Sequence, residues 1–150
     1  MKDINNIIKL YFKTVEGFRE IEKKPKDFGT GDLLYSSEIH TIEQIGNHSS
    51  INLTVLSEKL GISKSAVSKS IKKLLLKDLI TKSRRLDNDK EVIYNLTVKG
   101  LIAFSGHEEF SKTTFQSIRN LLSELNDEQK NFMEMFLSDL ALEINKINNL

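Results

Sequence analysis

The stretch from Asn52 to Gly100 constrains this chain more than any other, because it sets two short helical stripes and a charged hairpin in direct succession. Leu53, Leu56 and Leu60 recur at helical spacing and give a first helix one apolar side. Gly61 is free to take the positive φ that ends such a helix, and Ser63 can cap the next one. Val67, Ile71 and Leu74 follow at i, i+4 and i+7, the buried stripe of a second helix. The result is a helix-turn-helix. The outward face of its second helix holds Lys64, Ser65, Ser68, Lys69 and Lys72 with no acidic residue among them, between Ser63 and Lys73. A short polar face rich in lysine and serine suits the major groove of double-stranded DNA.

The hairpin extends that surface. Leu79–Lys82 and Val92–Leu96 read as strands rich in β-branched residues. Arg84, Arg85, Asp87, Asn88, Asp89 and Lys90 lie between them as a polar turn. A wing of this kind follows a phosphate backbone or lays an arginine into the minor groove. Arg84 and Arg85 are its preferred contacts. Lys90 is either a further contact or an anchor that pairs with Asp87 or Asp89. Charge agrees: Glu58 to Arg85 holds nine basic and two acidic residues, while the rest of the chain holds 13 basic and 19 acidic ones. A basic stripe on an acidic body is the footprint of a nucleic-acid face.

Several classes of function are set aside by what is missing. The chain has no cysteine, which excludes disulfides and thiolate metal sites. No apolar run reaches the ~18 residues of a membrane span, and the first residues do not resemble a signal peptide, so a cytoplasmic protein without a membrane partner is expected. No nucleophile–base motif, zinc-protease helix or phosphate loop appears, and a non-enzyme is expected. Gly29-Thr30-Gly31 is too short and poorly framed for a phosphate cradle and reads as a flexible turn.

The flanks are helical. Ile4, Ile7, Ile8, Tyr11, Val15 and Phe18 recur at helical spacing up to Lys23-Lys24-Pro25, and Ile39, Ile42 and Ile45 mark a helix over Ser36 to Asn47. A long helix is expected from Thr97 to about Leu125, then a last one capped by Asn126 or Asp127 and carrying Phe132 to Ile147. Apolar stripes of this length are rare on monomers, which points to burial against a second copy. The expected fold is mainly α (α+β), a winged helix-turn-helix whose terminal helices form a dimerisation domain. Residues 1–35 form a dimerisation helix and loop, 36–100 the DNA-binding domain, and 101–150 the C-terminal dimerisation helices.

The chain resembles the MarR (multiple antibiotic resistance regulator) family. The matching elements are Ser37-Glu38-Ile39-His40, Leu56 to Ser63, Ala66-Val67-Ser68-Lys69, Lys77-Asp78-Leu79-Ile80 and the exit Leu96-Thr97-Val98-Lys99-Gly100. Together they cover roughly residues 33 to 105. One departure stands in the wing, where the family's Asp-x-Arg is replaced by Asn88 and Lys90, and lysine lacks arginine's planar fork. The resemblance implies a homodimeric transcriptional regulator, a repressor acting on a pseudo-palindromic operator, with recognition helices one DNA turn (~34 Å) apart.

The resemblance leaves two effector classes open. One is a small aromatic or lipophilic molecule held between dimer helices and winged domain. The other is zinc, because Glu22, His40 and His107 resemble the ligands of the family's zinc-responsive branch. The further histidine of that branch is Ser111 here, so Glu108 or a water would complete the set. A third reading, a winged-helix protein-interaction module, would expose apolar or mixed-charge residues where Lys64, Lys69 and Lys72 stand.

Overall fold

The computed structural model describes residues 3–85 and 88–148, the Asp89 side chain aside. Helix α1 (Ile4–Lys23) leads into the paired strands β1 (Lys26–Asp27) and β2 (Leu33–Leu34), then α2 (Ser36–Asn47). Strand β3 (Ile51–Asn52), α3 (Leu53–Leu60), α4 (Lys64–Leu76), β4 (Ile80–Arg85) and β5 (Asn88–Leu96) complete a winged helix-turn-helix. Helices α5 (Val98–Thr114), α6 (Gln116–Ser123) and α7 (Asp127–Asn148) follow. The three wing strands form one antiparallel sheet in the order β3-β5-β4. The chain divides into two compact units, Met1–Phe110 and Ser111–Leu150, with the division inside α5. Among the described residues no helix is long and apolar enough to cross a membrane.

The core of the first unit is the set that helical spacing picks out. Ile39, Ile42 and Ile45 of α2, Leu56 of α3, and Val67, Ile71 and Leu74 of α4 are buried together, with Leu53 and Leu60 packed against them. Asn52 caps α3 by accepting from the Val55 amide at 2.9 Å. Gly61 ends the helix at φ 63°, and Ser63 accepts from the Ala66 amide at 3.2 Å to start α4. These two residues fix the turn between the helices.

Four features depart from the sequence reading. Phe28 is buried, in edge contact with His107 and Phe110 at 5.4 and 5.7 Å. The turn after it is closed around Asp27, whose Oδ1 accepts from the amides of Gly29, Thr30 and Gly31 at 2.9–3.0 Å. Those amides are spent on an internal carboxylate, so the loop is an ordered turn. The expected long helix is broken at Phe115, which stands outside helical geometry with ψ near 11°; the Thr113-Thr114 pair before it is a weak helix former. The wing strands run further than expected, so Arg84, Arg85, Asn88 and Lys90 lie on strands rather than in a turn. The pairing proposed for Lys90 falls on Asp87 and the Asp89 side chain, outside the described residues.

The second unit keeps its apolar residues on the outside. None of the described residues of α6 or α7 is buried, and Leu121, Phe132, Met135, Leu137 and Leu142 are more than half exposed. Asn126 caps α7, accepting from the Gln129 amide while Gln129 accepts from its own.

The Leu96-Thr97-Val98-Lys99-Gly100 exit is a joint. Thr97 Oγ1 accepts from the Gly100 amide at 2.9 Å and donates to the Asp78 carbonyl at 2.8 Å, and the Thr97 amide donates to the Leu79 carbonyl at 3.1 Å. The Leu79 carbonyl also lies against the Gly100 α-carbon, where a β-carbon would collide with it. Gly100→Ala should therefore lower unfolding free energy in urea by about 1–3 kcal/mol, the usual penalty of overpacking against an atom that cannot yield. Gly61→Ala, with open space around it but φ positive, should cost less, about 1 kcal/mol.

Candidate nucleic-acid interface

Helix α4 presents the expected face. Lys64, Ser65, Lys69 and Lys72 are exposed and Ser68 is half-buried, while Val67, Ser70, Ile71 and Leu74 turn inward. Exposed and, among the described residues, without an acidic partner, the ammonium groups of Lys64, Lys69 and Lys72 are available to an anionic lattice such as a DNA backbone. Ser63 lies at the tip, its hydroxyl 2.9 Å from that of Ser65. Lys73 is set apart: its ammonium lies 5.5 Å from the centre of the Tyr35 ring, toward the start of α2.

The far end of α4 is held by a charged pair that sequence reasoning missed. Glu38 is fully buried, and its carboxylate accepts from Lys77 Nζ at 2.8 Å and from the Tyr35 amide at 2.9 Å. Lys77 also donates to the Leu33 carbonyl at 3.0 Å. Lys99 Nζ then reaches the Lys77 carbonyl at 3.0 Å and pairs with Asp32 at 2.7 Å. The recognition helix is thereby tied to the β2–α2 turn and to the first turn of α5. A buried carboxylate requires such partners. The only sequence signal for it was Glu38 at the third position of a helix, where glutamate reaches back to the cap amide.

In the wing, the two arginines separate. Arg84 is exposed and, among the described residues, unpaired, opposite Val92 on β5. Arg85 Nη1 donates to Glu91 Oε2 at 3.1 Å. A register shift falls between these two residues, Arg85 standing opposite Asn88. Lys90 is exposed, and its amide donates to the Asn88 side chain at 3.2 Å.

A second cluster lies on α1, α2 and α5, inside the first unit. His40 Nε2 is 3.6 Å from Glu22 and its Nδ1 is 3.4 Å from Glu43. The His107 ring stands edge-on to that of His40 at 5.6 Å. Burial holds the His107 imidazole below the ordinary histidine range, against the pull of Glu43. Glu22 and His107 thus each lie beside His40. Glu108 is exposed, and the second carboxylate beside His40 is Glu43, one turn along α2. As they stand, no three His, Asp or Glu side chains among the described residues form a group that could hold a metal ion.

The sequence model described as "MarR family" matches residues 34–92. The HTH-type transcriptional regulator PchR of Bacillus subtilis is 33% identical over 105 residues, 70% of this chain and 62% of that one. The transcriptional regulator ZitR of Lactococcus lactis is 30% identical over 110 residues, covering 73% of this chain and 75% of ZitR. The structure of ZitR in complex with DNA superposes with a TM-score of 0.74 at 25% identity, over 96% of this chain and 99% of that one. A crystal structure of the same protein describes it as a zinc-responsive MarR family member.

Lys77→Met would leave the Glu38 carboxylate buried without its cation. Unfolding free energy should fall by up to about 3 kcal/mol, less than for a wholly buried pair because Lys77 is partly exposed. Glu38→Gln with Lys77→Met should recover part of that loss in the same urea titration.

Proposed function

This chain belongs to the MarR family, and we propose that it is a homodimeric, non-enzymatic repressor that reads a pseudo-palindromic DNA operator through α4 and the wing. The observation that carries this reading is the set of exposed lysines, Lys64, Lys69 and Lys72, without an acidic partner among the described residues, on a helix whose opposite side is locked into the core. Ser63, Ser65 and Ser68 supply short hydroxyl contacts beside them, and Arg84 and Lys90 supply backbone contacts from the wing. Lys73 belongs at the edge of this surface. The exposed apolar residues of α1 and those of α6 and α7 support burial in a second copy, because patches of this extent are uncommon on free monomers. A dimer gives the two recognition helices that a pseudo-palindrome needs.

The test is direct. Lys69→Glu should abolish binding to a duplex selected by the wild-type chain, while sedimentation still gives a folded dimer. Arg84→Ala should weaken binding to every duplex and lower the salt slope by about one unit, as for a single phosphate contact. Unchanged affinity for Lys69→Glu at moderate salt would move the recognition surface elsewhere.

A second reading concerns the effector, and the placement of Glu22 and of His107 beside His40 favours zinc. Imidazole nitrogen and carboxylate oxygen are the donors zinc prefers, and burial keeps His107 in the neutral form that a metal requires. The likeness to zinc-responsive ZitR supports the same reading. Zinc uptake by chelator-treated protein should weaken as pH falls below about 6.5, where free histidine becomes protonated. His40→Ala and His107→Ala should each remove it and uncouple DNA affinity from zinc. Calorimetry that finds no uptake, or uptake without change in DNA affinity, leaves an organic effector as the alternative.

A further inference from the structure

We propose that Glu91 sets the angle of the wing against the helix-turn-helix, and that Arg85 acts through Glu91 as an anchor rather than on DNA. Glu91 is on β5, and its two carboxylate oxygens face different elements. Oε2 accepts from Arg85 at the end of β4, and Oε1 accepts from the Asn52 side-chain amide. Asn52 pairs with Ile93 in the sheet, and its own Oδ1 caps α3. One carboxylate thus joins both wing strands to the first turn of the helix-turn-helix. Both hydrogen bonds hold Glu91 below the usual carboxylate range, Asn52 the larger influence and Arg85 next, so it is ionised at neutral pH.

Beyond the pairing of Asn52 with Ile93 the wing is a two-stranded ribbon, only marginally stable by itself, so a tie from its outer end back to Asn52 decides where its tip points. The register shift between Arg84 and Arg85 separates the two side chains by role: Arg85 goes to Glu91, and Arg84 remains unpaired among the described residues. Electrostatics alone predicts the opposite of this proposal. Glu91 is an acidic residue beside a basic, DNA-facing surface, and removing a negative charge there should tighten binding. If Glu91 positions the wing, removing it loosens binding instead.

The proposal rests on the reading of this chain as a DNA-binding regulator, and the experiment separates the two. The full-length wild-type chain selects a duplex from a random-sequence library, and variant affinities for that duplex are measured by fluorescence anisotropy across a salt series. Failure of the wild type to enrich any duplex overturns the DNA-binding reading and this proposal with it. With a duplex in hand, Glu91→Gln should weaken binding about tenfold, the scale of one lost contact, with an unchanged salt slope. Arg85→Ala should do the same, and the double variant should be no weaker than either. Exchanging the pair, Arg85→Glu with Glu91→Arg, should not restore affinity, because an arginine at position 91 cannot accept from the Asn52 side-chain amide. Equal or tighter binding by Glu91→Gln overturns the proposal, as does an Arg85→Ala effect that adds to it. Should Glu91→Gln fail to fold, Arg85→Ala decides alone. Weaker binding at constant slope supports the anchor, and a slope lower by about one unit makes Arg85 a phosphate contact.

Discussion

The Leu79 carbonyl meets the start of α5 at a point where only glycine fits, and the position of the recognition helix depends on that meeting. Gly100 permits the close approach, while Thr97 occupies the amide and carbonyl groups around it. Asp78, at φ 56°, reverses the chain after α4 so that the Leu79 amide can return to the Leu74 carbonyl at 3.0 Å. With the end of α4 held in this way, Val67, Ile71 and Leu74 face the core and the lysines are left outside. The same joint delivers the chain into β4, so the groove-reading helix and the wing are oriented from one place.

The parts legible in the sequence were those governed by local rules. Apolar spacing identified α2, α3 and α4, and the Gly61-Ile62-Ser63 turn followed from the conformations those residues allow. The basic face of α4 followed from the same periodicity, because a stripe that is buried defines its opposite. What was not legible depends on partners far along the chain. Phe28, next to the Gly29-Thr30-Gly31 turn, is core because α5 carries His107 and Phe110 to it. Glu38 carries no local sign of its burial, which is tolerable because Lys77, 39 residues later, returns to it. The wing arginines looked equivalent as neighbours, and a register shift that no propensity encodes gave them different surroundings.

The wing also shows how a motif can depart from its family without leaving the joint empty. The resemblance led to the expectation of an aspartate and an arginine within the wing, and Asn88 and Lys90 occupy those positions. Among the described wing residues a guanidinium–carboxylate pair is formed instead by Arg85 with Glu91, through a bond from Nη1 to Oε2. Its carboxylate is additionally engaged by Asn52, a residue already committed to capping α3. A pair connected to the helix-turn-helix in this way resists twisting of the ribbon as well as fraying of its strands.

Helix α2 is common to the two clusters of polar side chains. Glu38, in its first turn, is turned inward to Lys77 at the end of the recognition helix. His40, two residues on, is turned toward Glu22 of α1 and His107 of α5. A ligand at the histidine cluster affects DNA affinity only to the extent that it binds one position of α2 better than another. The physical route for such coupling is short and charged: movement of α2 along its axis shifts the Glu38 carboxylate, and the buried pair requires Lys77 to follow or be left without its counter-ion. That requirement makes the pair a stiff coupling, where an apolar contact in the same place could slide.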